Sequence, residues 1–364
     1  MLANKETSDT TGTIETVPFK ATDGLSIASI SAAAHRLEGI AERTPLLNIP
    51  LLDEMLGGRL FVKAECLQKT GSFKFRGAFN AISQLSPSDR PRGVIAYSSG
   101  NHAQGLAAAA KMLGVQATII MPVDVPPLKL RNTKAWGAEV LTYDRPNGEK
   151  REEVAQRIID ERNPVLLRPY DDWHVMAGQG TMGLEITSQL NALDLEADAV
   201  IAPCGGGGML AGIATAMQAT SPGTEIYGAE PHEFDDLKRS IETGERQHNE
   251  KLIGSICDSI MTAAPGELTW TVLSRLAKAS LTVSDDEVLY AMAAAFHFFK
   301  LTVEPGGAAG LAAVLSGRLD IKDKVVVAVC SGGNADPGVF ARALALMSPD
   351  QNLGKCPAKG ILQS

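Results

Sequence analysis

A chain of 364 residues with 45% hydrophobic and 21% charged content can bury a large core, in two domains or one elaborate one, and reads as a soluble globular protein. Its 34 basic and 42 acidic residues leave a net charge of −8, and no Lys/Arg run is interleaved with aromatics, so nucleic acid is excluded as an expected partner. Cys66, Cys204, Cys257, Cys330 and Cys356 show neither zinc-site spacing nor the density of a disulfide framework, which points to reduced thiols and a reducing compartment, most simply the cytoplasm.

In chain order, residues 1–25 are polar, carry Glu6, Asp9 and Glu15, and are expected to form a mobile arm without a signal peptide. No segment reaches the length of a membrane span. Short β-branched runs predict strands at 60–65, 94–98, 117–121, 139–143, 165–168, 199–203, 225–229 and 324–330. Between them, Ala- and Leu-rich stretches predict helices at 102–113, 127–136, 149–161, 178–190, 208–219, 285–301 and 306–316. The alternation is that of an α/β fold with parallel sheets flanked by helices. Residues 240–250 read as a polar loop and 348–364 as a loose tail.

Four stretches could carry chemistry: Lys69 to Gly77 (KTGSFKFRG), Ser98 to Gly105 (SSGNHAQG), Gly205 to Gly212 (GGGGMLAG) and Cys330 to Asn334 (CSGGN). Three of them follow a predicted strand, where ligands of open α/β sheets bind. The run Gly205, Gly206, Gly207, Gly208 can turn successive backbone N–H groups toward an anion at a helix start, which makes it a phosphate cradle. Gly206-x-Gly208-x-x-Ala211 with Glu230 further on also fits a dinucleotide fingerprint, so a nicotinamide oxidoreductase stands as an alternative from these residues alone. Lys74, flanked by Phe73 and Phe75, is placed to lose hydration and with it part of its basicity, which would free the amine to attack a carbonyl.

Taken together, these stretches resemble the fold-type-II pyridoxal-phosphate enzymes, the serine/threonine dehydratase and serine racemase group, over nearly the whole chain from about Ala33 to Met347. The resemblance implies a tryptophan synthase β-like architecture: a large cofactor domain of 26–84 plus 173–347 and a small inserted domain of 85–172 that closes over substrate. A homodimer is expected on the same ground. It implies that Lys74 carries pyridoxal phosphate as a Schiff base, that Phe73 flanks the ring, that Asn101 bonds the phenol oxygen and that Gly205 to Gly208 hold the phosphate. Ser331 would meet the pyridine nitrogen, and a hydroxyl cannot hold that nitrogen protonated, which suits loss of a Cβ leaving group better than transamination. Glu304 would lie beside the ring. Ser98, Ser99, Gly100 and His102 would take the substrate carboxylate, the His102 imidazole being structural, and Arg151 matches a substrate-side arginine of the racemase branch. Ser99 also matches the serine that, in racemases, exchanges a proton opposite the lysine, a place where many threonine dehydratases carry alanine.

The stretch 228–237 matches a cation site of the racemase branch, with Glu230, Asp236 and the Phe234 carbonyl as oxygen ligands for Mg²⁺ or another cation; a solvated acidic turn is the alternative. Arg168-Pro169-Tyr170 departs from the His-Pro-Phe or His-Pro-Asn of many relatives, next to the substrate pocket. The chain is also expected to lack a C-terminal regulatory domain. The implied reaction is loss of water from L-threonine or L-serine to give a 2-oxo acid and ammonia, with Lys74 as general base and the cofactor phosphate as the inferred proton donor. A 3-hydroxyaspartate dehydratase or a serine racemase would share every one of these cofactor residues. A non-catalytic cofactor-binding module has no use for an intact Lys74 and Ser99.

Overall fold

Val325–Val329 and Ala199–Pro203 are apolar at every position, the mark of strands covered on both faces, and they form the centre of a parallel sheet in the computed structural model. The structure describes residues 24–98, 100–125, 127–144, 147–149 and 151–346, leaving the side chains of 127, 128, 151 and 152 outside that description. Residues 1–23 of the expected arm and the expected tail lie outside it.

One sheet has six strands in the order β1 (Leu46–Asn48), β2 (Arg59–Lys63), β10 (Val325–Val329), β7 (Ala199–Pro203), β8 (Glu225–Pro231) and β9 (Ala279–Val283). Only the β1 pairing is antiparallel. The other sheet is fully parallel, in the order β5 (Glu139–Tyr143), β4 (Ala117–Pro122), β3 (Val94–Tyr97) and β6 (Val165–Leu166). Because side chains alternate along a strand, each sheet feeds two cores. Ala199, Ile201, Val326 and Ala328 pack against α11 (Asp285–Ala294) and α12 (Pro305–Leu315). Val200, Ala202, Val327 and Val329 pack against α7 (Trp173–Asn191) and α8 (Gly208–Thr220). In the smaller sheet, Val94, Ala96 and Ile119 meet α3 (Lys74–Ser83) and α4 (Asn101–Leu113), while Ile95 and Ile120 meet α6 (Arg151–Arg162). Each fully buried Val or Ile contributes about 1.5–3 kcal/mol.

The α/β expectation holds, and the eight expected strands are present within a few residues. Two short strands, β1 and β9, were not expected; β9 is an edge strand of mixed burial with Thr and Ser among its five residues. The 240–250 loop is corrected in its first part: α9 (Asp236–Thr243) runs into it, burying Asp236, Leu237 and Ser240 while Lys238, Arg239 and Glu242 stay outside that buried face. The single helix expected over 285–301 ends as α11 at Ala294, continues as a wide π turn over Ala295–Phe299, and stops at Lys300 in the left-handed region. No helix among the described residues is long and apolar enough to cross a membrane.

Beneath α3 and α7 lies a buried ion cluster. Arg76, 1% exposed, reaches Glu65, 0% exposed, at 2.8 Å and Glu185 at 2.7 Å; Lys63 binds Glu185 at 2.6 Å and the Thr44 carbonyl at 2.7 Å. Burial works to raise the Glu65 carboxyl, and Arg76 outweighs it, so the group stays below its ordinary range. This cluster ties β2, the turn before α3, and α7 together behind Lys74.

Candidate active site

Both sheets reverse their strand order, and the two reversals frame one cavity. In the small sheet β4 and β5 lie to one side of β3 and β6 to the other; in the large sheet β8 and β9 lie to one side of β7 and β10 to the other. At such switch points the loops leaving the strand ends diverge and open a crevice. The loop after β3 supplies Ser98, Gly100 and Asn101; the segment after β6 supplies Pro169 and Tyr170. The loop after β7 supplies Gly205 to Gly208, and Ser331 follows β10. All of these line a cavity of about 290 Å³ together with Phe73, Lys74, His102 and Glu304.

Lys74 opens α3, and its ammonium donates to the Pro169 carbonyl at 2.8 Å, 5.0 Å from the centre of the Phe73 ring. Burial lowers its pKa to about 8, with the Glu304 carboxylate pulling the other way. Burial pushes the Glu304 carboxyl up to about 7, against which the Asn101 side-chain N–H donates to Glu304 Oε1. Asn334 completes the chain, donating to Asn101 Oδ1 at 2.8 Å and to the Thr70 carbonyl at 2.9 Å. The amide of Asn101 is thereby held from both ends. His102 is driven down to about 3 by burial and then by the Lys74 charge, and its neutral ring lies 3.3 Å from the Leu167 carbonyl through Nε2. The imidazole is spoken for within the fold, in keeping with a structural part.

The glycine loop has three successive positions where only glycine fits, the last being Gly208, where a Cβ would lie 2.7 Å from the Tyr170 carbonyl oxygen. Gly207, the N-cap of α8, has φ +90°, and a Cβ on Gly206 would lie 2.3 Å from the Tyr170 ring. Tyr170 is thus pressed against the loop, which explains how the Arg168-Pro169-Tyr170 departure enters the site. The backbone of this loop and the N-terminus of α8 offer donors and positive dipole to an anion. The residues present therefore fit pyridoxal phosphate: a lysine of lowered basicity, a side-chain amide fixed beside it, and a glycine cradle at a helix start.

Ser99 lies outside the described residues, as does the Arg151 side chain; the Arg151 backbone begins α6. Gly100 is the N-cap of α4, and its N–H donates to Ser98 Oγ at 3.3 Å. Glu230, Phe234 and Asp236 are all buried and do not line the cavity. Glu230 accepts from the N–H groups of Leu237 at 2.8 Å and Lys238 at 2.9 Å, capping α9, so it cannot meet a ribose and the dinucleotide reading of Gly206-x-Gly208 fails. Burial, then Asp236, raises Glu230 to about 8; burial raises Asp236 to about 7, although Asn249 donates to its Oδ1. Asp236 Oδ2 is buried with no partner, and an orphaned carboxylate oxygen beside a second carboxylate suits a hard cation. Among the described residues no group of three or more His, Cys, Asp or Glu is set to hold a metal, so backbone carbonyls and water would have to complete such a shell. Cys66, Cys204, Cys257 and Cys330 are buried free thiols, and Cys356 lies outside the described residues.

Sequence reasoning missed four contributors. Asn334 ends the CSGGN stretch and Pro169 lies within Arg168-Pro169-Tyr170, yet nothing in either stretch signals the contact that each makes here. Lys129 and Asp258 line the cavity and pair at 2.8 Å, a contact between residues too far apart in the chain for any pattern to announce.

Residues 37–332 match the family model described as pyridoxal-phosphate dependent enzyme. The chain is 40% identical over 319 residues to an L-threo-3-hydroxyaspartate ammonia-lyase of a Pseudomonas species, covering 88% of this chain and 98% of that one. It is 39% identical over 318 residues to a serine racemase of Rattus norvegicus, covering 86% and 94%. Among solved structures, the threonine deaminase of T.th. superposes with a TM-score of 0.79 at 45% identity, covering 85% of this chain and 99% of that one. With the lysine, the amide and the glycine cradle around one cavity, the chain belongs to the pyridoxal-phosphate-dependent enzymes, in the group that holds ammonia-lyases and serine racemases.

Proposed function

We propose that the protein removes water from an L-β-hydroxy amino acid, giving a 2-oxo acid and ammonia, with L-threonine or L-serine as substrate. The observation that carries this reading is the buried Lys74 ammonium lining one cavity with Asn101, Ser331 and the Gly205 to Gly208 loop. Lys74 would hold the cofactor aldehyde carbon through Nζ, Phe73 and Asn101 its ring, Gly205 to Gly208 its phosphate, and Ser331 its ring nitrogen, with Glu304 alongside. Bound there, pyridoxal phosphate supplies an electron sink that acidifies the Cα proton. The freed Lys74 amine takes that proton, and with its pKa lowered to about 8 a far larger share of it is unprotonated near neutral pH than for an ordinary lysine. Ser331 offers a hydroxyl rather than a carboxylate, so it holds no proton on the ring nitrogen, which favours departure of the β-hydroxyl over transamination. Ser98, Ser99, the N–H groups at Gly100 and His102, and Arg151 would hold the substrate carboxylate. The partition into 26–84 plus 173–347 and 85–172 belongs to the same proposal, as does a cation at Glu230, Asp236 and the Phe234 carbonyl. L-threo-3-hydroxyaspartate is a second reading, favoured by Lys129 at the cavity wall.

The test is release of 2-oxo acid and ammonia in equal amounts from L-threonine, L-serine and L-threo-3-hydroxyaspartate supplied separately. Conversion of L-serine to D-serine without ammonia would instead support the racemase.

Capture of the cofactor needs the neutral amine, so reconstitution of the apoprotein should accelerate with pH and level off above about 8. At pH 7 the free-amine fraction is about 300-fold above that of an ordinary lysine. Glu304→Gln removes the carboxylate that raises the Lys74 pKa, and the profile should move to lower pH. Stopped-flow absorbance of reconstitution measures both; a profile still rising at pH 10 in the wild type would count against a Lys74 of lowered basicity.

A further inference from the structure

Lys129 lies in the first turn of α5 (Pro127–Ala135), which follows β4 of the small sheet. Asp258 lies in the segment between α9 and α10 (Glu267–Leu276), in the part of the chain that builds the large sheet. Their side chains meet at 2.8 Å, and both line the cavity that contains Lys74. The contact bridges the two walls of the cleft. The Asp258 side chain is 57% exposed and that of Lys129 27%, so the pair sits at the rim, where such an ion pair is worth about 0–1 kcal/mol and one carboxylate can replace another at little cost. The charges of both residues act on Glu304 at the cavity base, which places them within electrostatic reach of the reacting end.

Among the described side chains, the cations lining the cavity are Lys74 and Lys129. Lys74 is occupied by the chemistry. Arg168 does not line the cavity and has Asp171 at 3.9 Å. A substrate with a neutral side chain leaves the Lys129–Asp258 pair intact. A substrate with a second carboxylate at Cβ brings an anion beside Asp258, and the repulsion is relieved if that anion takes the ammonium while the exposed Asp258 turns to water.

We propose that Lys129 is a specificity-determining residue that receives the second carboxylate of a β-hydroxy dicarboxylic amino acid, and that Asp258 stands in for that carboxylate until substrate arrives. The inference rests on the lyase reading above and names the substrate class of the same cavity.

The experiment compares kcat/KM for L-threo-3-hydroxyaspartate and L-threonine in the wild-type holoenzyme, Lys129→Met, Lys129→Arg and Asp258→Asn. A parallel calorimetric titration uses L-aspartate, which carries the second carboxylate but no leaving group. In Lys129→Met the ratio of the acidic to the neutral substrate should fall at least ~10-fold, about 1.4 kcal/mol, and L-aspartate affinity should fall with it. Lys129→Arg should keep the ratio within about threefold, and Asp258→Asn should raise it by removing the competitor. A ratio unchanged in Lys129→Met, with both substrates slowed alike, overturns the proposal and makes the pair a clasp between the walls. If Lys129→Met fails to hold cofactor, Asp258→Asn decides: an unchanged or lower ratio overturns the proposal. If the wild type releases no 2-oxo acid from any amino acid, the lyase reading falls, and the titration alone judges Lys129: L-aspartate binding within twofold of wild type in Lys129→Met ends the proposal.

Discussion

Lys74→Ala should lower turnover of every β-hydroxy amino acid at least ~10³-fold, because one atom, Nζ, is asked both to anchor the cofactor and to take the Cα proton. The glycine loop and Asn101 remain, so the variant should still take up pyridoxal phosphate. Borohydride should no longer fix the cofactor to the chain. A small primary amine added to the variant should restore part of the rate if the missing group is a base, and none if the loss is one of folding. Residual activity above about a tenth of wild type would remove Lys74 from the centre of the mechanism, leaving Glu304 as the next titratable group lining the cavity.

The second large effect concerns stability. Arg76→Met leaves Glu65 buried without its guanidinium and Glu185 without one of its two cations, and should destabilise the protein by about 3–5 kcal/mol. The guanidinium-chloride midpoint of the holoenzyme is the measurement. Adding Glu65→Gln to Arg76→Met should recover part of the loss, because the uncompensated charge rather than the missing contact carries most of the penalty. A single variant within about 1 kcal/mol of wild type would mean that water reaches the cluster and screens it. Since Arg76 stands two residues beyond Lys74, the same variant should also loosen cofactor binding.

The residues that announce the site do so because they combine unusual chemistry with a strand end. Four consecutive glycines after Ala199–Pro203 and a lysine between two phenylalanines are legible without any coordinates, as are strands such as Val325–Val329, whose unbroken apolar run has few other readings. What stayed hidden depends on contacts across the chain. β9 is a strand only because β8 lies beside it, and α9 is a helix in a charge-rich stretch because Leu237 finds the core and Glu230 caps its first turn. Asn334 ends the CSGGN motif, yet its part as the brace behind Asn101 appears only when β10 brings the two loops together. Glu230 shows the opposite hazard: its position suited a ribose ligand by count, and its burial against α9 assigns it elsewhere.

The last strand among the described residues occupies a middle place in the large sheet. β10 pairs with β2 on one side and β7 on the other, although it follows β7 by more than a hundred residues. During synthesis the two halves of that sheet have no shared neighbour until Val325–Val329 has left the ribosome and inserted between them. Ser331 arrives only with that insertion, and Phe73 then donates its N–H to the Ser331 carbonyl at 3.1 Å beside Lys74. A nascent chain stalled short of β10 should therefore leave no cofactor fixed to Lys74 by borohydride, and the onset of that fixation would time the closing of the sheet rather than the emergence of the lysine.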